Sequence, residues 1–119
     1  MDPKLQLHEM TPTEVHHALH RRKIVLIDVR EPQEYVTERI HGALLFPLSS
    51  FDPRALPVGD RPVVLHCGSG KRSATAVAKC IEAGVPVTTH MKGGIMAWKH
   101  AHHPTITLDP NTGAVVDRK

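Results

Sequence analysis

The segment "VVLHCGSGKRSATAVAKC", from Val63 to Cys80, carries the strongest fold signal of this sequence. It opens with an apolar, β-branched run, which is typical of a short strand that is buried on both faces. A glycine-rich turn with two cations follows at residues 68–72, and the alanine-rich segment after it has apolar residues at helical spacing. The order of strand, turn and helix indicates an α/β fold, with the thiol of Cys67 at the carboxyl end of the strand.

The segments on either side of this stretch continue the alternation. Thr11 and Glu14 form a capping-box pattern that predicts a helix, and the run Ile24–Val29 predicts a second buried strand. A short helix is predicted from Pro32 to a stop at Gly42. Two later segments predict a further strand and then a tight turn with a last helix: "VPVTTHM" and "KGGIMAWKHAHH". The chain is therefore predicted to form a mostly parallel sheet with helices on both faces.

Composition and charge exclude several classes of protein. Of the 119 residues, 40% are hydrophobic and 23% are charged, which is an ordinary globular balance. The net charge of +3 comes from scattered bases, so we expect no nucleic-acid interface and a mildly basic site for small anions instead. No stretch reaches the roughly 20 apolar residues that a membrane span needs. Two cysteines and an N-terminus without a signal-peptide pattern predict a cytoplasmic protein with free thiols.

The loop after the strand has the features that stabilise a negatively charged sulfur. Ligands of parallel α/β folds bind at the carboxyl ends of strands, where Cys67 lies. Gly68 and Gly70 allow successive amides to turn inward, and the following helix, expected to begin about six residues after Cys67, points its positive end at the same place. Lys71 and Arg72 add full positive charges. Together these effects predict a lowered pKa for the Cys67 thiol, or an anion bound beside it.

Three motifs of the chain, taken in order, resemble those of the rhodanese-like sulfurtransferase family. The resemblance covers roughly residues 9–100. The motifs are Cys-x-x-Gly-x-Arg at Cys67, Gly70 and Arg72, "LIDVREPQEY" with "IHGA" at residues 26–35 and 40–43, and "GGIMAW" at residues 93–98. The family implies a five-stranded parallel sheet flanked by helices. It also implies that Cys67 accepts a sulfane sulfur as a persulfide and passes it to a nucleophile, without a metal or an organic cofactor.

The resemblance divides the chain into a rhodanese-like domain at residues 1–103 and a C-terminal tail at residues 104–119. The tail holds the turn "DPNTG" between two short β-prone runs. It is expected to form either a small hairpin on the domain or a flexible end.

The length and charge of the loop narrow the chemistry that the resemblance implies. Related phosphatases carry five residues between cysteine and arginine, whereas four separate Cys67 from Arg72, which suits one sulfur better than a phosphate. Two cations suit dianionic thiosulfate, so we expect thiosulfate or a persulfide as the donor and cyanide, a thiol or a protein as the acceptor. A sulfur-carrier or docking module for a protein partner is the main alternative. A phosphatase or arsenate reductase is a third.

The remaining site residues fall into binding and supporting groups. Six loop residues are predicted to bind the donor anion: Gly68, Ser69, Gly70, Lys71, Arg72 and Ser73. Ser73 is also expected to cap the helix. Asp28 and Arg30 end the first buried strand at the same sheet edge, and we expect a supporting role, with Arg30 paired to Glu31 or Glu34.

Three further predictions concern residues outside the loop. Strand alternation turns His66 away from Cys67, and helical spacing makes Cys80 a buried thiol rather than a second redox group. Two histidine clusters are interpreted as solvated helix faces rather than metal sites: His16, His17 and His20, and His100, His102 and His103.

Overall fold

The structure is a computed structural model that describes residues 7–118 of the chain. The strands and helices follow one another along the sequence, and two single turns of 3₁₀-helix lie between β4 and β5. The elements are β1 (His8–Met10), α1 (Pro12–His20), β2 (Val25–Asp28), α2 (Pro32–Thr37), β3 (Glu38–Arg39), β4 (Leu44–Leu45), β5 (Val63–His66), α3 (Lys71–Glu82), β6 (Thr89–Met91), α4 (Gly94–His100), β7 (Thr105–Leu108) and β8 (Val115–Arg118).

The main sheet has five strands in the order β1-β6-β5-β2-β4. Each neighbouring pair in it is parallel, so the predicted parallel α/β architecture is confirmed. The segment at residues 63–80 supplies the central strand β5, whose four residues are all buried. The loop that carries Cys67 therefore leaves the middle of the sheet at its carboxyl edge, where parallel α/β folds place their sites.

Helices cover both faces of this sheet, because successive strand residues point to opposite sides. On one face, Val77 of α3 lies in the same core as Ile27 and Leu65. On the other face, α1 and α4 cover Leu26 and Val64. Five further side chains complete the two cores next to these helices: Ala76 and Cys80 from α3 on the first face, and Val15, Ile95 and Trp98 from α1 and α4 on the second.

Three local predictions differ from the structure. The sequence did not predict β1, a short and mostly exposed strand. The helix α2 ends at Thr37 and does not continue to Gly42, because Glu38 has extended backbone angles and starts β3. The helix α3 begins at Lys71, four residues after Cys67 rather than about six, because Gly70 takes a left-handed φ of 107° and caps it.

The tail forms the antiparallel hairpin β7–β8, and β3 joins it to make a second, three-stranded sheet. The turn between the two strands is closed by Asp109, whose carboxylate accepts from the Asn111 amide at 2.8 Å, and Gly113 supplies a left-handed φ of 74°. The domain boundary at residue 103 stays a prediction.

One residue of each histidine cluster is packed rather than solvated, namely His16 and His103. The other members are exposed, as the interpretation expected: His17, His20, His100 and His102. The rings of His16 and His103 stack with centroids 4.5 Å apart, and His16 meets Trp98 edge-on at 5.3 Å. This packing arises because α1 and α4 lie side by side on one face of the sheet. Within residues 7–118, none of the helices has the length and apolar character needed to cross a bilayer.

Candidate active site

The Cys67 thiol lies directly beyond β5, under the first turn of α3. The residue is buried, and the Gly70 amide donates to its Sγ at 3.0 Å. The hydroxyl of Ser73 lies 3.6 Å from the same sulfur. The left-handed φ of Gly70 lets the chain turn back within three residues, so that the amide of this residue can point at the sulfur.

The surroundings of Cys67 favour its ionised form. Burial raises the pKa of the thiol, because a charge is costly away from water. Hydrogen bonds from the Ser73 hydroxyl and from the amides of Ser73, Gly70 and Ser69 outweigh burial, so the pKa of Cys67 lies below its ordinary value. The Ser73 amide lies in the first turn of α3 and Gly70 caps this helix, so the positive end of α3 adds to the same effect. The site can therefore hold a thiolate at the amino terminus of α3.

The amino end of α4 holds the other side of the loop. The Ile95 amide donates to the Cys67 carbonyl at 2.9 Å, and the Met96 amide donates to the Gly68 carbonyl at 3.1 Å. Gly94 starts this helix with a left-handed φ of 63°, and a Cβ on it would collide with the backbone of Cys67 and Gly68. The predicted glycine turn before the last helix thus lies against the cysteine loop.

The two loop cations lie in different surroundings. Lys71 is exposed at the first position of α3, and Ser69 is exposed beside it. The Arg72 guanidinium instead forms a two-pronged ion pair with Glu34 of α2, with N–O distances of 2.7 and 3.0 Å. Hydrogen bonds from Arg72 are the main reason that the pKa of Glu34 falls to about 2. Arg72 thus ties the loop to α2, and its predicted contact with a donor anion stays a prediction.

The sequence predicted that the Ser73 side chain caps α3, and this prediction was wrong. The N-cap is Gly70, and Ser73 is the third residue of the helix. Its Oγ lies 3.2 Å from the Gly70 carbonyl oxygen and 2.7 Å from Nδ1 of His90. Ser73 therefore joins the sulfur of Cys67 to a histidine on the neighbouring strand.

Asp28 and Arg30 form a buried pair beside the loop. Arg30 Nη2 lies 2.8 Å from the Asp28 carboxylate and donates to the Glu38 carbonyl at 2.6 Å. The expected partners of Arg30, Glu31 and Glu34, were wrong, because Asp28 lies two residues away and is fully buried. Among the hydrogen bonds and ion pairs of residues 7–118, none links either side chain to the Cys67 sulfur, and the supporting role of both residues stays a prediction.

His66 and Cys80, which were predicted to lie outside the loop chemistry, are both buried. His66 is fully buried, with Nδ1 3.2 Å from the Cys67 carbonyl, and burial is the main cause that lowers its pKa. Cys80 lies in the α3 core, where burial raises the pKa of its thiol to about 11. In the described part of the chain, no three His, Cys, Asp or Glu side chains are grouped so that they could hold a metal ion.

Two polar residues at the site were missed by the sequence reasoning. His90 on β6 lies next to β5 in the parallel sheet, and its Nδ1 reaches Ser73. Glu9 on β1 lies opposite His90 in the strand register and holds its Nε2 at 3.0 Å. The histidine at the carboxyl end of the "VPVTTHM" strand was a usable signal, since neighbouring parallel strands end at one edge. Glu9 carried no such signal, because β1 was not predicted.

Comparison with known proteins agrees with this geometry. The family model described as "Rhodanese-like domain" matches residues 11–101, which include the cysteine loop and the elements that hold it. The chain belongs to the rhodanese-like domain family. A rhodanese-like domain of Anabaena, solved by NMR, has the same fold with a TM-score of 0.73 and 23% identity, covering 100% of this chain and 90% of that one.

Several relatives of this rhodanese-like chain carry sulfurtransferase names. A protein of Mycobacterium tuberculosis named "Probable adenylyltransferase/sulfurtransferase MoeZ" is 39% identical over 103 residues, which are 83% of this chain and 26% of that protein. A "Sulfurtransferase" of Allochromatium vinosum is 33% identical, covering 70% of this chain and 78% of the relative. An uncharacterized Synechocystis protein is 43% identical over 70% of this chain and 47% of its own length. The chain thus spans between a quarter and a half of two of these relatives.

Proposed function

We propose that this chain is a rhodanese-type sulfurtransferase that moves a sulfane sulfur from thiosulfate, or from a persulfide donor, through a persulfide on Cys67. The observation that carries the proposal is the position of the Cys67 sulfur under the amides of Ser69, Gly70 and Ser73, which lower the pKa of its thiol. A lowered pKa gives the thiolate that attack on sulfur requires. The names of the relatives support the same class of reaction.

The reaction proceeds in two displacements at sulfur. The Cys67 thiolate attacks the outer sulfur of thiosulfate, the S–S bond of the donor breaks, and its electron pair leaves with sulfite. The sulfur left on Cys67 is a persulfide anion, which needs the same kind of donors as the thiolate did. Cyanide or a thiol then attacks the outer persulfide sulfur, and the electron pair of that S–S bond returns to Cys67 as a thiolate.

Exposed loop groups are suited to bind the donor anion. Ser69 and Lys71 are exposed, and the Gly70 amide between them donates to the sulfur at 3.0 Å. We propose that Lys71 holds the sulfonate end of thiosulfate and that the flexible backbone at Gly68 and Gly70 adjusts to admit the outer sulfur. Arg72 shares its charge between Glu34 and the bound anion. The nucleophile needs a reducing compartment, which we propose to be the cytoplasm.

A sulfur carrier that serves a protein partner is the second candidate. The relative from Mycobacterium tuberculosis, in which this chain corresponds to 26% of the length, combines adenylyltransferase with sulfurtransferase in its name. A domain of this kind can therefore stand within a larger protein. As a carrier, Cys67 would load with sulfur at the same loop but release it fast only to its partner.

Steady-state turnover separates the two candidates. Purified protein is supplied with thiosulfate and cyanide, and thiocyanate is measured beside the variants Cys67→Ser and Cys80→Ser. Turnover by the parent and by Cys80→Ser, with none by Cys67→Ser, is the result the sulfurtransferase proposal expects. Slow turnover that a partner protein accelerates favours the carrier. Hydrolysis of a phosphate ester, absent in Cys67→Ser, would support the phosphatase alternative and contradict the proposal.

A further inference from the structure

Four side chains form a continuous chain of hydrogen bonds that ends at the Cys67 sulfur. They come from β1, from β6, from α3 and from the residue directly after β5. The Glu9 carboxylate on β1 lies 3.0 Å from His90 Nε2, and His90 Nδ1 lies 2.7 Å from Ser73 Oγ. Ser73 Oγ lies 3.6 Å from Cys67 Sγ. His90 is buried, with 3% of its surface exposed, whereas the Glu9 side chain is half-exposed at 47%.

The carboxylate of Glu9 fixes which ring nitrogen of His90 carries a proton. A carboxylate only accepts hydrogen bonds, so the Nε2 that faces it carries the hydrogen. In the neutral ring, Nδ1 is then an acceptor and takes the single hydroxyl proton of Ser73. In the imidazolium form, Nδ1 is a donor to Ser73 Oγ, and the Ser73 hydroxyl is free to donate to the Cys67 sulfur.

We propose that Ser73, His90 and Glu9 form a proton relay that takes the thiol proton of Cys67 and keeps it on His90. The inference deepens the proposed function and rests on the role of Cys67 as nucleophile. In this relay, Ser73 touches the reacting sulfur, while His90 and Glu9 are positioning residues that act through it.

The transfer is balanced and needs no further reactant. The S–H proton of Cys67 moves to Ser73 Oγ while the hydroxyl proton of Ser73 moves to His90 Nδ1, and the S–H electron pair stays on sulfur. The products are a thiolate and an imidazolium, and the Glu9 carboxylate offsets the positive charge on His90. Because the persulfide is also an anion and Cys67 leaves the second displacement as a thiolate, the proton stays on His90 throughout the cycle.

The groups around His90 are consistent with this role. Glu9 faces its ring from β1, Ser73 faces it from α3, and Cys67 lies beyond Ser73 at the end of β5. The Gly70 carbonyl is a further acceptor within reach of the Ser73 hydroxyl, at 3.2 Å. Arg72, the charged residue next to Ser73 on α3, is held by Glu34.

The rate at which Cys67 reacts with iodoacetamide, measured across pH on the intact protein, tests the relay. The variants are Glu9→Gln, which keeps a hydrogen-bond acceptor but loses the charge, His90→Leu, and Ser73→Ala. Glu82→Gln is the matched control, because Glu82 is an exposed glutamate at the far end of α3. Unfolding by urea, followed in parallel, shows that each variant is folded.

The relay predicts that the alkylation midpoint of Glu9→Gln and of His90→Leu rises by about one pH unit, with about tenfold slower reaction below the midpoint. Ser73→Ala shifts it at least as far, and Glu82→Gln keeps the parent midpoint. If Glu9→Gln and His90→Leu keep the parent midpoint while Ser73→Ala shifts, Ser73 acts alone and the relay is wrong. Should His90→Leu not fold, Glu9→Gln decides between these outcomes, because its side chain is half-exposed.

This test separates a failure of the relay from a failure of the proposed function. Alkylation reports the ionisation of Cys67 whether or not thiosulfate is its substrate. Shifted midpoints without sulfur transfer support the relay and contradict thiosulfate chemistry. Unshifted midpoints with full sulfur transfer contradict the relay and leave the sulfurtransferase intact.

Discussion

At the scale of single residues, Gly94 determines how closely α4 approaches the cysteine loop. Its φ of 63° disfavours any side chain, and a Cβ there would strike the backbone of Cys67 and Gly68. Gly84, after the end of α3, has a similar φ of 73° but nothing within 4 Å of its would-be Cβ. Comparing an alanine at each of the two positions therefore separates the effect of backbone strain from the effect of a collision with the loop.

Gly94→Ala is expected to displace the loop as well as strain the backbone. We predict a loss of about 3 kcal/mol in the free energy of unfolding and a large loss of Cys67 alkylation rate at neutral pH. Gly84→Ala, the matched control, should cost only about 1 kcal/mol and keep the parent alkylation rate. Urea unfolding and alkylation kinetics measure both effects. Equal losses in the two variants would show that the contact with the loop contributes nothing.

The two thiols are expected to differ in reactivity. Burial raises the pKa of Cys80 to about 11, whereas hydrogen bonds lower the pKa of Cys67. Since the thiolate is the reactive form, iodoacetamide at neutral pH should add a single group, on Cys67. Intact-mass measurement with peptide mapping checks the result. Modification of Cys80 at a comparable rate would contradict the opposite shifts in the pKa of the two thiols.

At the scale of elements, the Arg72–Glu34 pair joins the first turn of α3 to the first turn of α2. Arg72 lowers the pKa of Glu34 from 4.5 to about 2, so the folded state favours the ionised carboxyl. Such a group stabilises the fold fully above pH 4.5, and the contribution is lost as the pH falls towards 2. Because both side chains are 37% exposed, solvent screening limits the gain.

Glu34→Gln is expected to lower the free energy of unfolding at neutral pH by about 1 kcal/mol. The glutamine keeps the capping hydrogen bond to the Glu31 amide, so the change reports the ion pair alone. The difference from the parent should vanish between pH 4.5 and 2, where Glu34 of the parent becomes protonated. Urea unfolding at several pH values measures this difference in the free energy of unfolding. Glu82→Gln is the control, because it removes one negative charge elsewhere on the surface. A difference that persists at the acid end would contradict the ion pair as its cause.

At the scale of the whole molecule, the tail hairpin is attached through α4 and β3. Trp98 donates its Nε1 hydrogen to the Pro104 carbonyl at 2.8 Å, and Thr105 donates to the Glu38 carboxylate at 2.6 Å. Within residues 7–118, the two hydrophobic cores of the main sheet include no residue beyond Trp98. We therefore expect the main sheet to keep its cores without the hairpin.

Deletion of residues 104–119 is expected to leave a folded domain. The lost hydrogen bonds should lower the free energy of unfolding by about 2 kcal/mol, while the alkylation rate of Cys67 stays at the parent value. Urea unfolding followed by Trp98 fluorescence, beside the full chain, gives the comparison. A truncated chain without a cooperative transition would contradict the predicted domain boundary at residue 103.

The sequence predicts those parts of this fold whose signals are local. The central strand β5 is a run of buried apolar residues, and its loop and helix carry glycine and helical spacing. The short strands β1 and β3 escape prediction, because two or three largely polar residues give no periodicity.

The candidate site shows the same division between local and distant contacts. Cys67 and its amide donors lie within seven consecutive residues and could be predicted together. Arg72 and Glu34 are 38 positions apart in the sequence, and His90 and Glu9 are 81 positions apart. Only the order of the strands and helices in the fold brings the members of each pair together.

The most direct test of the central proposal is the mass of the intact protein after incubation with thiosulfate. The parent and Cys80→Ser should each gain a single sulfur atom that cyanide removes, and Cys67→Ser should gain none. This result would identify Cys67 as the sulfur acceptor. An unchanged mass of the parent, or a sulfur atom that remains on Cys67→Ser, would contradict transfer from thiosulfate through Cys67.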